Sequence, residues 1–211
     1  MALERKFKIG EPILEVKNIS LSFGGVKAIT DTSFDVLEHE VRAIIGPNGA
    51  GKSSMLNCIN GIYKPQKGTV SFKGKQIHNI TPNIMAQMGL SRTFQNLALF
   101  KRMSVLDNIL VGRKLHTKTN FLEVAFQLPK VKKEEKINRE RSEEIISFLE
   151  IEDIKDTPVG KLPYGLQKKV ELGRALATDS SVILLDEPMA GMNVEEKRDM
   201  CRFILKVNDE L

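Results

Sequence analysis

The 211-residue chain has no tryptophan, only two tyrosines and only two cysteines. It also lacks any run of about eighteen apolar residues, which excludes a membrane-spanning helix. The opening stretch MALERKFKIG is charged and has no apolar segment of the kind that directs secretion. Cys58 and Cys201 are isolated in sequence, without the paired spacing of metal ligands, and they suit a reducing compartment. A cytoplasmic address is the expectation. Neither an internal repeat nor a low-complexity tract is present, so repeat arrays and disordered tails are excluded. What the chain does have is the composition of a globular protein, 41% hydrophobic and 28% charged. Its length suits one domain large enough to bury a core without disulfides or a structural metal. Thirty-two basic against 27 acidic residues give a net charge of +5. That balance permits phosphates, nucleic acid or an anionic surface as partners without choosing among them. The densest charge run, Lys130 to Glu144, mixes both signs within each turn, as a solvated helix face does.

The first forty residues read as strands. Ile13 to Phe23 alternates imperfectly, Gly24-Gly25 is a turn, and Ser33 to Leu37 is a second extended run. Val41 to Ile45 (VRAII) is short, β-rich and followed by glycine, as expected of a buried strand. After Gly51 the pattern turns helical, with Met55, Ile59 and Ile62 on one side. Thr69 to Phe72 supplies another strand, and a short helix follows Pro82. Helical stripes then dominate: Val105, Ile109 and Leu110; Ile137, Ile145, Phe148 and Leu149; and Leu166 to Leu176. Ser181 to Leu185 (SVILL) returns to strand, and Asn193 caps a last helix carrying Met200, Phe203, Ile204, Val207 and Leu211.

Gly46 to Ser53 reads GPNGAGKS, which fits G-x-x-x-x-G-K-[ST]. Gly46, Gly49 and Gly51 permit a tight loop whose backbone N–H groups face inward. Pro47, Asn48 and Ala50 complete the loop, and the helix that follows, carrying Ser54, adds its positive N-terminal end. Lys52 supplies a full charge to the β- and γ-phosphates, and the Ser53 hydroxyl is a small oxygen ligand for Mg²⁺. At Val182 to Pro188 the sequence is VILLDEP. Asp186, at the end of an apolar strand, can hold Mg²⁺, and Glu187 can polarise a water aimed at the γ-phosphate. A strand-end acidic pair by itself is more often a cap; a phosphate loop upstream shifts the reading towards catalysis.

Leu162 to Leu176, LPYGLQKKVELGRAL, resembles the signature segment and following helix of the ATP-binding cassette (ABC) family, whose usual form is LSGGQ. VILLDEP resembles that family's Walker B strand. RTFQN, Arg92 to Asn96, resembles its Q-loop, with Gln95 placed 43 residues after Lys52. Ala190 to Asn193 occupies the place of the D-loop. Phe23 sits where the family puts an aromatic that stacks on adenine. The resemblance covers essentially the whole chain. It implies an α/β fold: a P-loop NTPase core with an antiparallel β subdomain and an inserted helical subdomain. The expected parts are 1–81 for the β-rich region and phosphate loop, 82–177 for the helical subdomain, and 178–211 for the Walker B strand, D-loop and final helix, all in one nucleotide-binding domain. It also implies ATP with Mg²⁺ as the bound species. Glu187 and Gln95 take catalytic roles; Ser53, Gln95 and Asp186 serve the metal. Gly165 would meet a nucleotide held by a partner copy, so dimerisation, with an identical chain or a sister subunit, belongs to the active site.

Two segments, the signature loop and the D-loop, depart from the pattern. Pro163 and Tyr164 replace the signature serine and glycine, and Asn193 replaces the D-loop aspartate. Within the family, SFGGVKAITDTSF, RTFQNLALF and DEPMAGMN look most like the ATP-binding subunits of bacterial branched-chain amino acid importers. That likeness implies a peripheral protein at the inner face of the cell membrane, docked through about Gln95 to Met103 beneath permease subunits. Leu97, Leu99, Phe100 and Met103 are apolar candidates there, and core of the helical subdomain suits them equally well. No nucleic acid partner is expected, although a soluble ABC ATPase acting on nucleic acid or ribosomes stays open. So does a nucleotide-binding fragment without turnover. The family carries a switch histidine beyond the Walker B strand, whereas His39, His78 and His116 all precede it and only 25 residues follow Asp186. The expectation is a chain cut short relative to the family, binding ATP and hydrolysing it poorly alone.

Overall fold

A computed structural model describes residues 9–93, 98–117, 119, 123 and 128–210. The chain divides into two compact units, one of Met1–Met85 with Cys201–Leu211 and one of Ala86–Met200.

The first unit is built on an antiparallel sheet of order β2-β1-β3-β4, with β1 Pro12–Phe23, β2 Val26–Leu37, β3 Lys67–Phe72 and β4 Lys75–Gln76. The imperfect alternation of β1 has a cause. Asn18 adopts a positive φ of 53° where the register with β2 shifts between Val16 and Ile19. This bulge resets the phase, so Leu14 and Val16 before it and Ile19 and Leu21 after it all reach the core. Strand β2 is an edge, and of its side chains only Ile29 is buried, which suits its Lys, Thr and Asp content. It begins at Val26 rather than at Ser33 because the Gly24-Gly25 turn folds the chain straight back, pairing Phe23 with Val26. Helix α1, Lys52–Ile59, buries Met55, Cys58 and Ile59. It ends before Ile62, which Gly61 at φ 78° turns away and leaves exposed.

Val41 to Ile45 is not a strand. These residues are irregular and exposed, Ile45 at 89%. An apolar, β-rich run forms a strand only where a neighbour accepts its ladder, and no described strand pairs with it.

In the second unit, β5 Leu90–Arg92 and β6 Val182–Leu184 form a parallel pair, Leu90 facing Val182 and Arg92 facing Leu184. Helices α3 Val105–Gly112, α4 Pro129–Phe148 and α5 Tyr164–Leu176 pack through Val105, Ile109, Ile145, Ile146, Leu149, Val170 and Leu172. Ser104 and Asp107 close a capping box on α3. Ile137, which the stripe on α4 places with the core, is 51% exposed; the buried residues of α4 are Val131, Ser142, Ile145 and Ile146. Helices α2, Pro82–Met88, and α6, Val194–Glu210, each contain a boundary between the units. Asn193 caps α6 as expected, with reciprocal Asn193–Glu196 hydrogen bonds of 2.9 Å. Leu211, the last apolar residue of that stripe, lies outside the described residues. Among the described residues no helix is long and apolar enough to cross a membrane.

Candidate active site

The expected site residues fall into two groups, one in each unit. In the first, Gly46, Pro47, Asn48, Gly49 and Ala50 form an exposed loop that enters α1 through Gly51. Gly49 and Gly51 adopt φ of 85° and 82°. At Gly51 glycine is required twice over. Its φ is left-handed, and a Cβ there would lie 2.3 Å from the Ala28 carbonyl oxygen of β2. No side chain caps the start of α1, and no acidic residue lies in its first turn. The positive dipole end of the helix is therefore not countered by an acidic side chain, which favours an anion there. Lys52 donates to the carbonyls of Gly46 and Pro47 at 2.8 Å each, which holds its ammonium over the loop. Ser53 and Ser54 are half-buried in the first turn of the helix.

Phe23 ends β1 and is 47% exposed. Its ring meets Tyr63 edge to face, with centroids 5.1 Å apart and planes at 76°. Because Phe23 pairs with Val26 and Gly51 backs onto Ala28, the aromatic pair and the phosphate loop occupy the same end of the β1–β2 hairpin.

In the second unit, just beyond the end of β6 come Asp186, which is buried, and Glu187, which is exposed. The parallel register carries Arg92 and Thr93 alongside the strand end. The Arg92 Nη2 donates to Asp186 Oδ2 at 2.8 Å with both side chains 6% exposed, and the Asp186 N–H reaches the Thr93 hydroxyl at 3.4 Å. Glu187 holds a positive φ of 47° although it is not glycine and precedes proline, a conformation that costs about 1–3 kcal/mol. Gln95 and Leu97 lie outside the described residues, just beyond Thr93. The chain resumes at Ala98. Buried Asn108 then pins the next loop, accepting from the Phe100 N–H at 2.9 Å and donating to the Phe100 and Ser104 carbonyls. Leu99 is buried and Phe100 is 52% exposed, so the two apolar candidates diverge.

The signature loop opens α5 without a side-chain cap. Tyr164 lies over Gly191, its ring 3.1 Å from where a Cβ would sit, and Gly165 is buried against the Glu196 carboxylate. One turn on, Lys168 and Glu171 form a buried ion pair of 3.2 Å, lining a small cavity with Thr93, Leu185 and Pro188.

Sequence reasoning did not single out Arg92, Glu196 or the Lys168–Glu171 pair. The last had a visible signal, since its two charges sit at i,i+3 inside an apolar stripe. Arg92 had none, because its partner is 94 residues away.

As metal donors, Ser53 and Asp186 offer oxygen, which fits a hard cation such as Mg²⁺. No group of three or more His, Cys, Asp or Glu side chains able to cage a metal occurs among the described residues. Such an ion therefore fits as one carried largely by nucleotide phosphates and water.

Residues 29–190 match the ABC transporter family model. The chain is 35% identical over 202 residues to the high-affinity branched-chain amino acid transport ATP-binding protein BraF of Pseudomonas aeruginosa, covering 96% of this chain and 79% of that one. It is 37% identical over 195 residues to a probable branched-chain amino acid transport ATP-binding protein, LivG, of Methanocaldococcus jannaschii, covering 92% and 75%. Among solved structures, the ADP conformation of MJ1267, an ATP-binding cassette of an ABC transporter, superposes with a TM-score of 0.80 at 36% identity over 93% of this chain and 77% of that one. A nucleotide-free cassette from an ABC transporter gives 0.78, also at 36% identity. The motif order, the phosphate loop and the matched fold lead to one conclusion: the chain belongs to the ABC ATPase family, as a nucleotide-binding subunit homologous to those of branched-chain amino acid importers.

Proposed function

We propose that this chain binds Mg-ATP and hydrolyses it to drive uptake of branched-chain or chemically related amino acids through membrane permease subunits. The observation that carries the nucleotide half is the glycine-built loop entering an uncapped α1, with Lys52 tethered above it. In this reading backbone N–H groups along 48–54 and the Lys52 ammonium take the phosphates, and Phe23 takes the adenine. Ser53, Asp186 and Gln95 would serve the ion, which when bound would supply charge neutralisation at the phosphate oxygens. Glu187 accepts a proton from the attacking water at its exposed carboxylate. A second cassette, identical or a sister subunit, closes the site through its own signature loop, and in return the loop at Gly165 meets the partner's nucleotide. The likeness to branched-chain amino acid transport ATP-binding proteins of two distant organisms supports the substrate class. The absence of a spanning helix among the described residues suits a peripheral place at the cytoplasmic face.

The test is co-expression with the permease subunits of a branched-chain amino acid importer, followed by leucine uptake into cells. ATP-dependent uptake that requires this chain and is lost with Glu187→Gln is the expected result. Recovery of the chain with RNA or DNA in a salt-dependent manner, and no association with membranes, would overturn the importer reading.

A further inference from the structure

We infer that Gln66 is a positioning residue for the nucleotide base: its side-chain amide, together with the Tyr63 ring, fixes Phe23 as a one-faced aromatic platform. The inference rests on reading Phe23 as the adenine contact and extends it to residues that no motif names. Strand β3 pairs with β1 in a register that sets Lys67 opposite Ser20, and the Gln66 N–H donates to the Ser20 carbonyl at 2.9 Å. Continued by two residues along β1, the same register brings Pro65 opposite Ser22. Proline has no N–H, so the backbone ladder cannot go on. The Gln66 side chain takes its place. Its Oε1 accepts from the Ser22 N–H at 2.8 Å and its Nε2 donates to the Ser22 carbonyl at 3.0 Å. A primary amide carries the same donor and acceptor as a peptide group, which is why glutamine can extend the sheet by one rung.

That rung falls on the residue before Phe23. Beyond Phe23 the chain enters Gly24-Gly25, with Gly24 at φ 55°, and nothing lies within 4 Å of where a side chain on either glycine would project. Without the Gln66 amide, the end of β1 would be held by the β2 edge alone. Tyr63 restricts the ring itself. At an interplanar angle of 76° one ring presents its edge to the other, so Tyr63 covers at most one face of Phe23. The other face is left for a flat apolar ligand, consistent with the ring's 47% exposure.

The chain's lack of tryptophan makes a clean reporter available. In the full chain, Phe23→Trp should give indole emission that ATP quenches and inorganic tripolyphosphate, which has no base, does not. Adding Gln66→Leu, which removes both hydrogen bonds to Ser22, should weaken ATP binding by at least about fivefold. Tripolyphosphate affinity, read by calorimetry, should stay unchanged. Gln66→Glu, which keeps the acceptor for the Ser22 N–H but loses the donor, should fall between. Equal losses for ATP and tripolyphosphate would assign Gln66 a general structural role and overturn the inference, as would no change for either. If instead Phe23→Ala leaves ATP affinity intact and the indole is not quenched, the adenine reading itself fails, whatever Gln66 does.

Discussion

The phosphate loop and the end of β6 solve opposite problems. The loop is exposed, built from backbone and glycine, and organised by a lysine that folds back onto its own carbonyls. The strand end is buried, built from side chains, and organised by ion pairs, Arg92 with Asp186 and Lys168 with Glu171. An exposed loop offering N–H groups to phosphate need not hide charge, so it can vary in side chain while the glycines keep its shape. A carboxylate 4% exposed must be charge-compensated before any ligand arrives, and Arg92 does that. Binding affinity should thus be sensitive to changes in the loop, and folding stability to changes at the strand end.

The largest effect should come from Arg92→Met. It leaves the Asp186 carboxylate buried without its guanidinium, at a cost of about 3–5 kcal/mol in urea unfolding. Combining it with Asp186→Asn should recover part of that loss, and additivity of the two changes would show that the pair is not coupled. Lys52→Ala should reverse the pattern. ATP binding should weaken by about 100-fold, or 2.7 kcal/mol, while stability moves by no more than about 1 kcal/mol, since Lys52 is only half-buried. A Lys52 variant that unfolds, or an Arg92 variant that is as stable as the parent, breaks the contrast.

The same contrast explains what could be read from the sequence. GPNGAGKS was legible because backbone geometry dictates glycine spacing locally, and Asn193 was legible as a cap for the same reason. Val41 to Ile45 was misread because an apolar run reveals its preference but not whether a neighbour will pair with it. Ile137 and Ile62 satisfied a helical spacing but ended on the exposed side. Arg92 stayed hidden because its role is set by a parallel strand register that joins residues 94 positions apart. Gln66 was equally silent, since its function depends on a proline falling opposite Ser22.

A smaller effect is expected at Asp179, which accepts from Arg113 and Arg141. Burial alone pushes its carboxyl up, but the hydrogen bond and charge of Arg113, joined by Arg141, outweigh that and hold it below the usual aspartate value. A lowered folded value means the contribution is present at neutral pH and is lost as pH falls through that value. Solvent screens these partly exposed pairs, so Asp179→Asn should cost only about 1 kcal/mol or less at neutral pH, and the difference from the parent should shrink in acid. A difference that grows with acidity would contradict the assignment. The smallest change concerns the two thiols. Burial raises the Cys58 thiol to about 11 and removes it from solvent, whereas Cys201 is exposed. Native protein should take up one equivalent of a thiol reagent at Cys201, and Cys58 should react only on unfolding.

The most direct measurement is ATP hydrolysis by this chain assembled with permease subunits in membranes, for the parent and for Glu187→Gln. The account predicts saturable turnover in the parent, and in the variant retained ATP binding with hydrolysis reduced about 100-fold or more, the range of a lost general base. Equal turnover in both proteins would contradict the placement of the catalytic carboxylate at the end of β6.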